Sequence, residues 1–329
     1  MKRTLAALIT GATLPPLVLL GVAQPAAADR GGRPDTYQLT GDPGGSRFEG
    51  IGTDRRAGTF YVSEVTGGEI HRGTARSSLT EEWLAGDGTD GRFTARGITV
   101  DRAGRVYIAG GPNGNGTTNP DLWVYSRTGE LLAALRVPGD NVFLNDVWIG
   151  PDGAAYFTNS NAPQIFRVAV DGDGYAAELW ADATDTIATS TGFNLGGIVT
   201  SPDRSALVVA QGNTGQLWRF DLADRSVTQV DTGGADLVNA DGLVRRGTRL
   251  TVVRNFSRVV TTLRLRADGT SATKIRERST DPTRVLTTAK VLRGRILYVD
   301  SKFDEQPVAA PPYEVITDPF VSRHGHGGH

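Results

Sequence analysis

One motif returns six times along this chain, and its spacing constrains the fold more than any other feature. A small or acidic residue followed by an aliphatic one stands about nine residues ahead of a short hydrophobic strand. The copies are Gly50-Ile51 ahead of Phe60-Tyr61-Val62, Gly97-Ile98 ahead of Val106-Tyr107-Ile108, and Asp146-Val147 ahead of Ala155-Tyr156-Phe157. Gly197-Ile198 precedes Leu207-Val208-Val209, Gly242-Leu243 precedes Leu250-Thr251-Val252, and a weaker sixth copy sets Ala289 ahead of Leu297-Tyr298-Val299. Successive anchors lie 47, 49, 51, 45 and 47 residues apart. Between them sit further strand pairs joined by turn residues, such as Leu122 to Tyr125 with Leu131-Leu132 across Arg127-Thr128-Gly129, and Leu217 to Phe220 with Val227 to Val230. Each unit therefore holds about four strands, the content of one propeller blade, and six units predict an all-β, six-bladed β-propeller of four-stranded blades. The repeats of a β-helix, the rival all-β solenoid, are much shorter.

The sixth unit runs short, ending on Tyr313-Glu314-Val315-Ile316, and would leave an open sheet edge unless another segment completed it. The strand Thr36 to Leu39 is expected to do so. Ahead of it, Lys2 and Arg3 precede an apolar run from Leu5 to Val22 that closes on Ala26-Ala27-Ala28, the pattern of a secretory signal peptide. Residues 1–28 are thus expected to direct export, 29–320 to form the propeller, and 321–329, with three of the four histidines, to be a flexible His-rich tail. The expected location is extracellular, with no membrane contact after cleavage. No cysteine is present, so disulfides and thiol chemistry are excluded. Lys+Arg 35 against Asp+Glu 36, with no basic block, argues against a nucleic-acid partner.

In a propeller the innermost strands face one axis, so equivalent positions converge around a central channel. The residue before each anchor reads, in blade order, Glu49, Arg96, Asn145, Gly196, Asp241 and Thr288. Carboxylate and amide oxygens are hard donors, and Glu49, Asn145 and Asp241 are a set that can hold calcium or magnesium; the same residue types also cap turns. Arg96 can meet a substrate carboxylate, pair with Glu49 or Asp241 in place of a metal, or turn out to solvent. His71 is the lone histidine ahead of the tail and reads as part of a second strand of blade one. Without a Gly-x-Ser-x-Gly elbow it makes a poor triad member, and no phosphate-binding or dinucleotide motif is found.

From about residue 36 to 320 the chain resembles the SMP-30/gluconolactonase family. The resemblance rests on Phe48-Glu49-Gly50-Ile51, Phe143-Leu144-Asn145-Asp146 and Asp241-Gly242-Leu243, in that order and at blade spacing. It implies a divalent cation on the axis, often calcium, with Glu49 and Asp241 as ligands, Asn145 as ligand or substrate contact, and Asp241 also as general base. It further implies hydrolysis of a small lactone or ester. Two departures qualify it. The blade-four position usually held by Asn is Gly196, and Asn194, two residues earlier on the same side of an extended segment, is the residue able to stand in. The Arg expected two residues before Asn145 in sugar lactonases is Phe143, which fits a more apolar lactone, an ester or no substrate. The alternative reading is a non-catalytic extracellular propeller that binds a protein or glycan, with the polar stretch Gly110 to Thr118 as a recognition loop.

Overall fold

The computed structural model describes residues 32–111, 118–306 and 310–320. The expected signal peptide, the His-rich tail and most of the Gly110 to Thr118 loop lie outside the described residues. From Arg33 onward the chain forms one compact unit. It contains six four-stranded antiparallel sheets, and the described residues hold only one short 3-10 turn, Thr89–Gly91, besides them. Blade one shows the plan, with strands Phe48–Asp54, Thr59–Glu64, Ile70–Thr74 and Glu81–Leu84 running in order from the axis outward. His71 therefore lies on the third strand rather than the second, because the anchor segment is itself the innermost strand.

The short sixth unit is completed as expected. Thr36–Leu39 pairs antiparallel with Tyr313–Ile316 in the register Thr36 with Ile316 and Leu39 with Tyr313. A strand from before blade one thus completes the last sheet as its outermost strand, linking the two ends of the ring. Tyr37 from this strand meets Phe60 edge-on at 5.0 Å.

The hydrophobic core is divided among six wedges, one between each pair of neighbouring blades. Blades one and two share a wedge built on Tyr61, Ile70, Ile98, Ile108 and Trp123. The wedge across the closure joins Phe48, Phe60 and Val62 to Leu297, Val299 and Val315. Each strand alternates its side chains between two such wedges, which is why the second strands are nearly continuous runs of β-branched and aromatic residues.

Each innermost strand carries a β-bulge at the same place. Phe48 pairs with Glu64 and Ile51 with Val62, so Glu49-Gly50 stands opposite a single partner residue. The equivalent pairs are Arg96-Gly97, Asn145-Asp146, Gly196-Gly197 and Asp241-Gly242. In blade six, Leu286 pairs with Asp300 and Ala289 with Tyr298, which makes the bulge Thr287-Thr288. The sixth ring position is therefore Thr287, not Thr288. Ala289 matches the aliphatic residue of the other anchors, and the absence of glycine hides the offset.

The glycines of the motif have a steric cause. A Cβ on Gly50 would stand 2.1 Å from the Arg96 carbonyl oxygen, and one on Gly197 2.1 Å from that of Asp241. At the four glycine-bearing blades the innermost strand comes so close to its neighbour that a side chain at the glycine position would collide with the neighbour's backbone.

Candidate functional site

The six bulges make two tiers on the axis. The first residues of five bulges, Glu49, Arg96, Asn145, Gly196 and Asp241, line a cavity of about 590 Å³ at one mouth, while the sixth, Thr287, is buried and donates from Oγ1 to the Glu49 carbonyl at 2.9 Å. The second residues form the tier beneath. Where four blades have glycine there, blades three and six have Asp146 and Thr288. Between the tiers is a void of about 10 Å³ lined by Glu49, Asn145, Asp241, Asp146 and Thr288, about the room of one water-sized sphere. The buried Thr288 Oγ1 has no hydrogen-bond partner among the described residues. Thr288 thus leaves the ring but faces the same void from below.

Burial raises the Glu49 carboxyl to about 7, against the pull of the Arg96 guanidinium and with a smaller push from Asp146. Asp241 is held well above the ordinary carboxylate range, first by burial and then by the charge of Glu49. Asn255 opposes this by donating from Nδ2 to Asp241 Oδ2 at 2.8 Å. Two buried carboxyls, both raised by burial and one of them further by the other's charge, an amide, a lone hydroxyl and an ion-sized void fit a divalent cation, since every donor is a hard oxygen. Gly196 supplies no donor. A Cβ placed there would lie 3.7 Å from Asn145 Oδ1 and 4.0 Å from Asp241 Oδ1, in ordinary contact with both.

Arg96 is buried at 2 % exposure, so it does not turn outward. Its Nη1 donates to the Gly110 carbonyl at 2.8 Å, and its guanidinium lies 3.7 Å from the centre of the Phe143 ring. Loss of water lowers its pKa to about 10, while Glu49 acts in the opposite sense. Phe143, which stands where sugar lactonases have Arg, thereby forms a platform for an arginine from the neighbouring blade. Asn194 lines the same mouth, but its amide is engaged elsewhere. Its Oδ1 accepts from Ser190 N at 3.0 Å and from the Gln211 and Asn213 side chains at 3.2 Å, which fixes the loop before blade four.

The mouth also holds residues that the motif search missed. Phe193 packs on Phe143 at 5.1 Å, and Phe256 and Phe303 line the cavity too. Phe193 is 61 % exposed and Phe256 49 %. Asn255 follows the second strand of blade five, and counting from the anchor to the end of that strand would have found it. Lower in the channel, Lys290 Nζ lies 3.7 Å from Asp146 Oδ2 and over the Trp148 ring. Beyond them a cavity of about 460 Å³ at the opposite mouth is lined by Arg55, Arg56, Arg102, Arg204 and Arg245. His71 is buried in blade one against Glu64 and Phe48.

Fold and site together define a six-bladed propeller with an oxygen-rich axial site beneath an aromatic mouth. The chain belongs to the SMP-30/gluconolactonase/LRE-like family, whose model matches residues 48–244. No curated protein sequence matches it significantly. Among solved structures, the major allergen Mala s 1 of Malassezia sympodialis is similar at a TM-score of 0.63 and 16% identity, covering 90% of this chain and 99% of its own. A gluconolactonase from Xanthomonas campestris matches at 0.58 and 16% identity, covering 83% and 86%. The calcium-binding protein regucalcin from Agrobacterium tumefaciens matches at 0.57 and 16% identity, covering 84% and 95%. At these identities the likeness shows the fold alone.

Proposed function

We propose that this protein is a secreted hydrolase of apolar lactones or esters that uses a divalent cation, with calcium the first candidate. The observation that carries the reading is the convergence of Glu49, Asn145 and Asp241 on one ion-sized void at the floor of an aromatic-lined mouth. A cation held by these three residues supplies Lewis-acid polarisation of the substrate carbonyl. Asp241, its Oδ2 fixed by Asn255, accepts a proton from the attacking water. Arg96, held on Phe143, presents positive charge to a substrate oxygen. Phe143, Phe193 and Phe256 cover an apolar body and keep bulk water from it. Membership of the family and the likeness to a gluconolactonase support this chemistry, and the aromatic wall favours apolar substrates over sugars.

Calorimetric titration of calcium into the chelator-treated protein, followed by a screen of lactones and aryl esters, tests the proposal. Asp241→Asn is expected to lower turnover at least ~100-fold, the scale of a lost general base. A parent protein that binds neither calcium, magnesium, manganese nor zinc sinks the reading. That result would favour the second one, a non-catalytic binding propeller, for which the supporting observations are the Arg96 charge facing Glu49 and the glycine at position 196. Export belongs to the same proposal. N-terminal sequencing of protein from the culture medium should start near Asp29, and recovery of an intact Met1 there would contradict it.

A further inference from the structure

Blade one carries a group of acids that the axial site does not use. Asp42, Glu64 and Glu69 bring one carboxylate oxygen each to within 4.8 Å of one another. They come from the loop after the closing strand, from the end of Thr59–Glu64, and from the residue just before Ile70–Thr74. Glu64 and Glu69 are buried, at 1 % and 5 % exposure, and Asp42 opens the group to solvent. Glu64 is engaged: Thr66 Oγ1 donates to its Oε1 at 2.5 Å, and His71 Nε2 stands 3.3 Å from its Oε2. Glu69 Oε2 is enclosed and has no hydrogen-bond partner among the described residues.

The seat of that unpartnered carboxylate is specific. A Cβ on Gly67 would lie 2.4 Å from Glu69 Oε2, and one on Gly86 2.1 Å from Glu69 Oε1. The group thus fills space that two glycines leave open. Burial pushes Glu69 up to about 7, opposed by a hydrogen bond from its own backbone N–H and aided by the charges of Glu64, Asp42 and Asp87. A buried carboxylate with one oxygen unpartnered, beside two others, is costly unless a proton or a cation joins it. Three oxygen donors at this spacing, with one exposed acid as a way in, match a hard cation, and His71 behind Glu64 is the outer-shell support that such sites use.

We propose that Asp42, Glu64 and Glu69 form a second divalent-cation site, best matched to calcium, on the blade-one side of the mouth and independent of the axial residues. The site would fasten the turn 64–69, whose Val65 lines the mouth beside Arg47. Arg47 N in turn donates to Thr66 Oγ1 at 3.2 Å, tying this turn to the innermost strand's entry.

The test is calcium calorimetry on the chelator-treated full chain at pH 8, comparing the parent with Glu69→Gln, Asp42→Ala and Asp241→Asn, each checked for fold by circular dichroism. Glu69→Gln should bind one calcium fewer than the parent. Asp42→Ala, an exposed change that leaves the core untouched, should weaken that same equivalent at least tenfold. Asp241→Asn should retain it, so loss of the axial site and loss of this one are read separately. If Glu69→Gln and Asp42→Ala both bind calcium with the parent's stoichiometry and affinity, the proposal is overturned, and a shared proton is what holds the three acids together.

Discussion

Replacing Glu49 by Gln tests the idea that the axial acids are held there against their own charge. The ordinary value of 4.5 is raised to about 7, chiefly by burial. At about 1.36 kcal/mol per pH unit, that difference corresponds to about 3 kcal/mol. The folded carboxyl binds its proton more tightly than the unfolded one. Below pH 4.5 both states are protonated and nothing is lost. As the pH rises from 4.5 through 7 the folded state is progressively destabilised, and above 7 the full penalty remains. Glu49 touches water through the mouth, so about 3 kcal/mol is an upper bound. Gln keeps the shape and cannot ionise, and it also removes the main charge that raises Asp241. In chelator at pH 8, Glu49→Gln should therefore be the more stable protein by about 2 kcal/mol, and at pH 4.5 the two should be equal. At roughly 2 °C per kcal/mol for a chain of this size, the gain is about 4 °C in Tm by calorimetry. Calcium at 100 times its Kd should reverse the order, adding about 2.7 kcal/mol to the parent and little to the variant. A variant less stable than the parent at pH 8 without calcium would refute the reasoning. Glu49 would then be the counter-charge of buried Arg96, and removing it would leave that cation unpaired.

Three further outcomes follow from particular contacts. Gly196→Asn places an amide between Asn145 and Asp241 and should tighten calcium binding about tenfold, or ~1.4 kcal/mol, by calorimetry; unchanged affinity would mean that the blade-four position does not face the ion. Gly50→Ala drives a Cβ to 2.1 Å from the Arg96 carbonyl, so the innermost strands of blades one and two must separate, and denaturant unfolding should show a loss of ~3 kcal/mol or more; a loss under ~1 would contradict the close approach. Phe60→Ala empties part of the closure wedge and should cost about 3–5 kcal/mol in the same assay, with a small effect arguing that the closing strand is not packed as described.

Blade number, strand content and the closing strand were legible because each leaves a periodic trace. A glycine marks the bulge in the four blades where a Cβ would strike the neighbouring strand, and the aliphatic residue after the bulge enters a wedge. The trace failed at blade six, where no glycine marks the bulge and Ala289 resembles an anchor although it occupies the aliphatic slot. That one-residue offset moved Thr288 from the ring to the tier below. The same register argument placed Glu49, Arg96, Asn145 and Asp241 on one mouth, since strand periodicity fixes which face a residue shares.

Periodicity does not fix what each side chain touches once it is there. Arg96 and Phe143 come from neighbouring blades 47 residues apart, and no pattern in either segment announces that one stacks on the other. Asn194 and Gln211 meet across a hairpin because a loop needs its carbonyls and amides satisfied, a demand the repeat does not encode. The acids of blade one were missed for a related reason. Asp42 lies in a connection outside the repeat, and Glu64 and Glu69 flank a turn whose only sequence marks are two glycines. The chemistry of a propeller is therefore written twice. Residues at the repeated bulge can be found by counting, whereas those supplied by connections between strands become visible only when the blades are assembled.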